Sequence, residues 1–157
     1  MTNTSLTDNW QVLMDAAYKK WEGKDWTYAR FLVEIERKER IAVLLGNLNY
    51  QVENGGFRQW VDNGYALNAR EIIAILMTIG GPGSIKVAEM VKQIAKHVDL
   101  TKTKVGWSDY WKRYTNRFGE SSDEPTEGEK LAETLDNPFY DLQPEWHAEV
   151  AFFFNSI

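Results

Sequence analysis

From Trp10 to Phe154 the apolar side chains of this chain recur mostly three and four residues apart, the repeat of helices buried along one stripe. Trp10, Leu13, Met14, Ala17, Tyr18 and Trp21 form one such stripe over residues 8–22, and Gly23 ends it. A second helical stretch starts near Thr27 and carries Tyr28, Phe31, Leu32 and Ile35. Five charged residues follow, Glu36 to Arg40, before the spacing resumes at Ile41, Leu44, Leu45, Leu48 and Val52. A single helix through all of this would put a charge on the apolar stripe at position 38 or 39. A break or a solvated collar is therefore predicted at 36–40.

The second stripe runs into Asn54-Gly55-Gly56-Phe57-Arg58-Gln59-Trp60. Glycine tolerates a positive φ, so Gly55 or Gly56 can end the helix with a left-handed cap. Phe57 and Trp60 lie three apart and can enter the core from the next turn. Gln59 can bond carbonyls freed at the cap. The plain reading is a corner between helices; the sharper reading is a binding or catalytic corner, and no titratable group suited to chemistry sits in it. Asn63-Gly64 then ends a short helix. Asn68 caps another helix that buries Ile72, Ile73, Leu76, Met77 and Ile79. After Gly80-Gly81-Pro82-Gly83, Ser84 caps a further helix with Val87, Met90, Val91, Ile94 and Val98, giving a helical hairpin.

Residues 99–106 read as a connector, including the weakly strand-like Leu100 to Val105. Trp107, Tyr110, Trp111, Tyr114 and Phe118 fall on one side of a helix. Residues 119–130 have the composition of a flexible acidic loop. Leu131 to Leu135 form a short helix, Asp136-Asn137-Pro138 turns the chain, and Pro144 opens a final helix with Trp146, Val150, Phe153 and Phe154. The expected fold is all-α: one compact domain over 1–157, six to eight helices, and a core rich in aromatics. Seven each of Trp, Tyr and Phe supply that core, because each aromatic ring buries a large area.

Asn54-Gly55-Gly56-Phe57-x-Gln59-Trp60, followed by Asn63-Gly64-Tyr65-Ala66, resembles the signature of a bacterial and phage family catalogued as domain of unknown function 4375. A second element, Leu135-Asp136-Asn137-Pro138-Phe139-Tyr140, is similar to that family's Leu-Asp-acidic-x-Phe-Tyr, with Asn137 in place of the acidic residue. The resemblance spans about residues 30–155. It implies an all-helical fold. It also implies a protein-binding role, since the best-known relative is an acidic DNA mimic that occupies DNA-binding proteins in place of DNA.

The net charge of −5 conceals an asymmetry. Residues 1–118 hold 17 Lys and Arg against 13 Asp and Glu, whereas residues 119–157 hold one Lys against 10 Asp and Glu. Glu120, Asp123, Glu124, Glu127, Glu129, Glu133, Asp136, Asp141, Glu145 and Glu149 make up the acidic third, opposed by Lys130 alone. Carboxylates two apart on an extended chain, or four apart on a helix, stand roughly 6–7 Å from one another, comparable to phosphates along a strand. Such a face can compete for the basic groove of a nucleic-acid-binding protein. It can also simply solvate the surface or pair with residues 86–117, which hold eight Lys and Arg against three acids. That basic segment, with its aromatics, is the sequence's case for direct nucleic-acid binding, although the one-sided spacing of the aromatics favours core.

Other chemistry finds little support. The chain has no cysteine, so disulfides and thiolate chemistry are excluded. Gly83-Ser84-Ile85-Lys86 lacks the Gly-Lys-Ser/Thr ending of a phosphate loop. His147 and Glu149 are two apart and diverge on a helix, and the other histidine, His97, is distant, so neither a metal nor a cofactor is expected. The N-terminal residues lack the pattern of a signal peptide and the longest apolar run is too short to span a bilayer, so a cytoplasmic location is expected. The leading expectation is a non-enzymatic protein-binding domain that acts as a DNA-mimic-like inhibitor, with a second copy of the chain as a further partner to consider. The alternative from another class is a carboxylate-dependent hydrolase in a cleft near Asn54, Gln59 and Asp136 to Tyr140.

Overall fold

The computed structural model describes residues 8–98 and 125–157. These form six α-helices: α1 (Asp8–Trp21), α2 (Tyr28–Glu34), α3 (Arg37–Asp62), α4 (Ala69–Ile79), α5 (Pro82–Ala95) and α6 (Glu127–Ser156). A 3-10 turn over Tyr65–Asn68 links α3 to α4. No strand occurs among the described residues. The all-α domain with an aromatic core is as the periodicity predicts. The expected strand-like connector, the aromatic helix at 107–118 and the acidic residues 119–124 lie outside the described residues.

The predicted break at 36–40 is present. Ile35 and Glu36 leave helical geometry, and α3 restarts behind a capping box made by Glu36 and Glu39. The collar is not wholly solvated, however. Glu39 is buried, takes 2.7 Å contact from Lys20 and accepts from the Glu36 amide at 2.9 Å. Arg40 reaches across to Glu71 with two bonds of 2.6 and 2.7 Å. Both charges left the apolar stripe's logic because each found a partner that replaced water.

Helix α3 is the spine. Ile41 to Asn49 are buried without interruption, since α1 and α6 both pack on it. Trp10 of α1 is fully buried and donates to the Ala42 carbonyl at 2.9 Å. Trp146 of α6 meets Trp10 edge-on at 5.5 Å, and Phe139 lies 5.8 Å from Trp146. The α4–α5 hairpin packs on α6 mainly through α5. On α4, Ile72 and Leu76 are buried, but Met77, expected inside, is exposed.

Three local expectations fail for identifiable reasons. Residues Glu127 to Lys130 are not loop; they are the first turn of α6, capped by Thr126, whose hydroxyl accepts from the Glu129 amide at 3.2 Å. Helix α6 also runs unbroken through Pro138 and Pro144, where a turn and a new helix were expected. Each internal proline costs about 3 kcal/mol in a helix. Against that, Phe139, Trp146 and Val150 are fully buried on the stripe beyond Pro138. Burial at about 1.5–3 kcal/mol for each of these three side chains is of the same size as the two proline penalties together and offsets them. Finally, Ser84 is not the cap of α5: Pro82 holds the first turn and Gly81 the cap position.

Candidate functional site: the corner and the α6 carboxylates

The two sequence motifs, 79 residues apart, meet at the bend of α3. Gly55 (φ −155°, ψ 19°) and Gly56 (φ 76°, ψ 179°) interrupt its helical geometry. Gly56 is therefore not a left-handed cap but sits in an extended positive-φ region open essentially to glycine alone. Past the bend, Phe57 begins a new helical turn whose amide has no partner within the helix. Asp136 of α6 supplies one: its Oδ1 accepts from the Phe57 amide at 2.9 Å. A Cβ on Gly56 would collide with Asp136 Oδ2 and approach its Cγ at 2.9 Å. The carboxylate thus lies against the backbone because position 56 has no side chain.

The neighbouring motif residues complete the clamp. Phe139 packs edge-on against Phe57 at 5.4 Å, and both rings are fully buried with Trp60. Tyr140 donates to the Val52 carbonyl at 2.7 Å, one of the acceptors left open near the bend. Gln59 does not bond freed carbonyls as expected. It donates to Gln51 Oε1 at 3.0 Å and accepts from Asn54 Nδ2 at 3.2 Å. Burial raises the Asp136 pKa, with the Phe57 amide pulling the other way. Of the polar groups named for the hydrolase reading, Asp136 and Tyr140 thus hold α6 to α3, while Asn54 and Gln59 are bonded within α3.

Sequence reasoning missed a buried polar chain beside the corner. Glu53 accepts from Gln143 Nε2 at 2.8 Å; Gln143 also donates to Asn49 Oδ1 at 2.9 Å, and His147 Nε2 lies 2.8 Å from the same oxygen. The Glu53 carboxylate orients Gln143, so Asn49 presents its oxygen and His147 must donate from Nε2. Nδ1 is then a bare acceptor, buried and without a partner among the described residues. Burial lowers the His147 pKa to about 4. The only trace of this chain in the sequence is its spacing: Asn49 and Glu53, and Gln143 and His147, are each four apart on helices.

His147 and Glu149 diverge as their spacing predicts. Glu149 faces the start of α5, where it accepts from the amides of Gly83 at 3.1 Å and Ser84 at 2.7 Å and from the Ser84 hydroxyl at 2.6 Å. The anion-attracting turn considered for phosphate is occupied by the protein's own carboxylate. No group of three or more metal-ligating side chains occurs among the described residues. No helix there is long and apolar enough to cross a membrane.

The acidic residues of α6 divide into two sets. Asp136 and Glu149 cap other helices, and Glu129 pairs with Arg58 at 3.1 Å. Glu127, Glu133, Asp141 and Glu145 are exposed. Of these, Glu127 lies 3.5 Å from Lys130 and Glu133 3.7 Å from Arg58, while Asp141 and Glu145 have no cation partner among the described residues. Glu120, Asp123 and Glu124 lie outside the described residues, as does all of the basic segment beyond Val98.

A family model described as DMP19-like protein matches residues 33–155, from the end of α2 to the end of α6. The chain belongs to the DMP19-like protein family. The match takes in both motifs of the corner and all of α6 but its last residue, so the clamp and the acidic helix fall within the part that this DMP19-like chain shares with its family. The match carries that description and not the label of domain of unknown function 4375. No curated protein and no solved structure matches the chain significantly.

Proposed function

We propose that this DMP19-like chain is a non-enzymatic protein-binding domain that occupies a nucleic-acid-binding protein in place of the nucleic acid. The observation that supports the reading is the composition of α6: seven carboxylates against Lys130 alone, with Glu127, Glu133, Asp141 and Glu145 exposed. A row of like charges on a rigid helix attracts a basic groove by the same long-range term that DNA uses, and with the same dependence on salt. Family membership favours this reading over a solvating surface, because the resemblance leads to a DNA mimic. The face is narrower than the sequence suggests, since Glu129, Asp136 and Glu149 serve the fold.

The test is capture of partners on the immobilised protein from a cell lysate, with and without excess duplex DNA. A nucleic-acid-binding protein that is retained at low salt, released by DNA and released by added salt is the expected result. The variant Glu133→Gln/Asp141→Asn/Glu145→Gln should retain at least several-fold less of it, with unchanged folding because the three side chains are exposed. Partners indifferent to DNA, to salt and to those charges would make this an interaction module of another kind.

A further inference from the structure

A groove of about 490 Å³ opens at the break between α2 and α3, bounded also by α4 and by Phe153 of α6. The buried Leu32, Ile35 and Ile41 and the half-buried Ile75 and Phe153 line it. Small-molecule sites have such a volume, about 300–1,000 Å³, and such an apolar lining with a few polar groups. The polar groups of this groove divide into spent and unspent. Glu71 accepts from Arg40 at both of its oxygens, at 2.6 and 2.7 Å. The Thr78 hydroxyl donates to the Ala74 carbonyl at 2.9 Å. Arg40 also donates to the Leu32 carbonyl at 3.0 Å. Its guanidinium is thereby fixed in place, with Nη1 and Nη2 each keeping one donor hydrogen over. Arg37 lines the groove too, exposed and with no carboxylate partner among the described residues. The acids nearest to it in the chain face other cations: Glu34 meets Arg30 at 3.1 Å, and Glu36 and Glu39 meet Lys20 at 3.9 and 2.7 Å.

We infer that the groove binds a small carboxylic acid with an apolar body, its carboxylate held by Arg37 and the spare N–H groups of Arg40. Charge complementarity selects that occupant. What the groove leaves unspent is donor hydrogen on two guanidinium groups, while its one carboxylate is fully engaged. A neutral apolar ligand would cover those groups without replacing their water, and a cationic one would be repelled. A carboxylate matches the planar fork of a guanidinium with two parallel bonds. The helix does not account for the charge on Arg37, which stands in the first turn of α3, where the helix dipole disfavours a cation. The inference goes beyond the acidic-face reading and does not depend on it.

Titration of the full chain with sodium decanoate, kept below its micellar range and followed by backbone amide NMR shifts, tests it. Saturable shifts in α2, the start of α3 and α4, with one decanoate per chain, are expected. Decylammonium, the same body with the opposite charge, should bind at least about tenfold more weakly, and Arg37→Gln should weaken decanoate by a similar factor, the worth of a charge-assisted bond. The thermal midpoint of that variant should be unchanged, because the side chain is exposed and unpaired. Arg37→Lys should recover part of the affinity, since an ammonium keeps the charge but not the fork. Ala74→Phe, which fills the groove from an exposed position of α4, should abolish binding without touching a charge. Absence of saturable shifts at these residues overturns the inference, and so does equal affinity for the two charges or indifference to Arg37→Gln. Saturation by a short peptide with an apolar C-terminal residue, where decanoate fails, overturns the assignment to a small molecule.

Discussion

Gly56 shows how far a single missing side chain reaches. Its conformation (φ 76°, ψ 179°) is strained for any L-residue, and its missing Cβ is what admits the Asp136 carboxylate to the Phe57 amide. Gly23 provides the comparison, with φ 71° but nothing within 4 Å of the place a Cβ would take. Gly23→Ala should therefore cost only about 1 kcal/mol, the expense of a positive φ alone. Gly56→Ala adds a collision with a buried contact and should cost about 3 kcal/mol or more. Urea unfolding of both variants measures the difference. Equal losses would show that Asp136 moves away freely and that the close approach is incidental. The motif pattern made Gly56 conspicuous in the sequence, but only as a turn. The need for glycine comes equally from Asp136, 80 positions away, which no local reading supplies.

Among the elements, α6 departs most from its sequence and ties most of the fold together. Its prolines read as breaks because local preference does not contain the stripe that the helix buries against α3 and α5. Its carboxylates read as one acidic face for the same reason. Glu149 illustrates the difference, since it closes the start of α5 with three hydrogen bonds. Charge-assisted bonds of this kind are worth more than neutral ones, and losing the acceptor leaves buried donors open. Glu149→Ala should destabilise the protein by about 3 kcal/mol. Glu149→Gln should recover little, because its amide group would confront an amide donor. Denaturant midpoints of the two variants check this. A neutral effect of Glu149→Ala would mean that water replaces the carboxylate there and would return Glu149 to the acidic face.

For the whole molecule, the pH profile of stability follows from groups that the fold buries. His147 titrates at about 4 in the folded chain against an ordinary 6.5, because protonation would charge a buried ring whose Nδ1 faces no acceptor. Between those two values the unfolded chain binds the extra proton and the folded chain does not. Stability is therefore full above 6.5 and declines as the pH falls toward 4, by about 3 kcal/mol in all. The Asp136 carboxyl, raised by burial above 3.8, acts in the opposite sense just above that value, losing its contribution as the pH rises through its folded pKa. Its effect is the smaller because it is only half-buried and the Phe57 amide offsets the burial. Urea midpoints taken from neutral to acid pH should thus fall, and His147→Leu should flatten the decline. An unchanged slope in that variant would assign the acid sensitivity to other groups.

What the sequence determined by itself is what short-range chemistry controls. The three-and-four spacing specified the all-α class and the buried stripes, though not the continuity of α6. The five-charge interruption specified the break before α3, and Asn-Gly-Gly specified the bend within it, since glycine is the residue that tolerates such backbone. The paired motifs led to a resemblance to a DNA-mimic relative, and the matching family model is described as DMP19-like, not by the label that the motifs suggested. Only the tertiary structure decided which charges are surface. Glu39, Asp136 and Glu149 look like solvated acids in the sequence and are internal caps in the fold, each beside a donor supplied from distant chain. The Glu53–Gln143–Asn49–His147 chain is likewise a product of packing. A carboxylate's role depends on whether water or an unpaired amide lies next to it, and that neighbour is set by the meeting of helices rather than by adjacent residues.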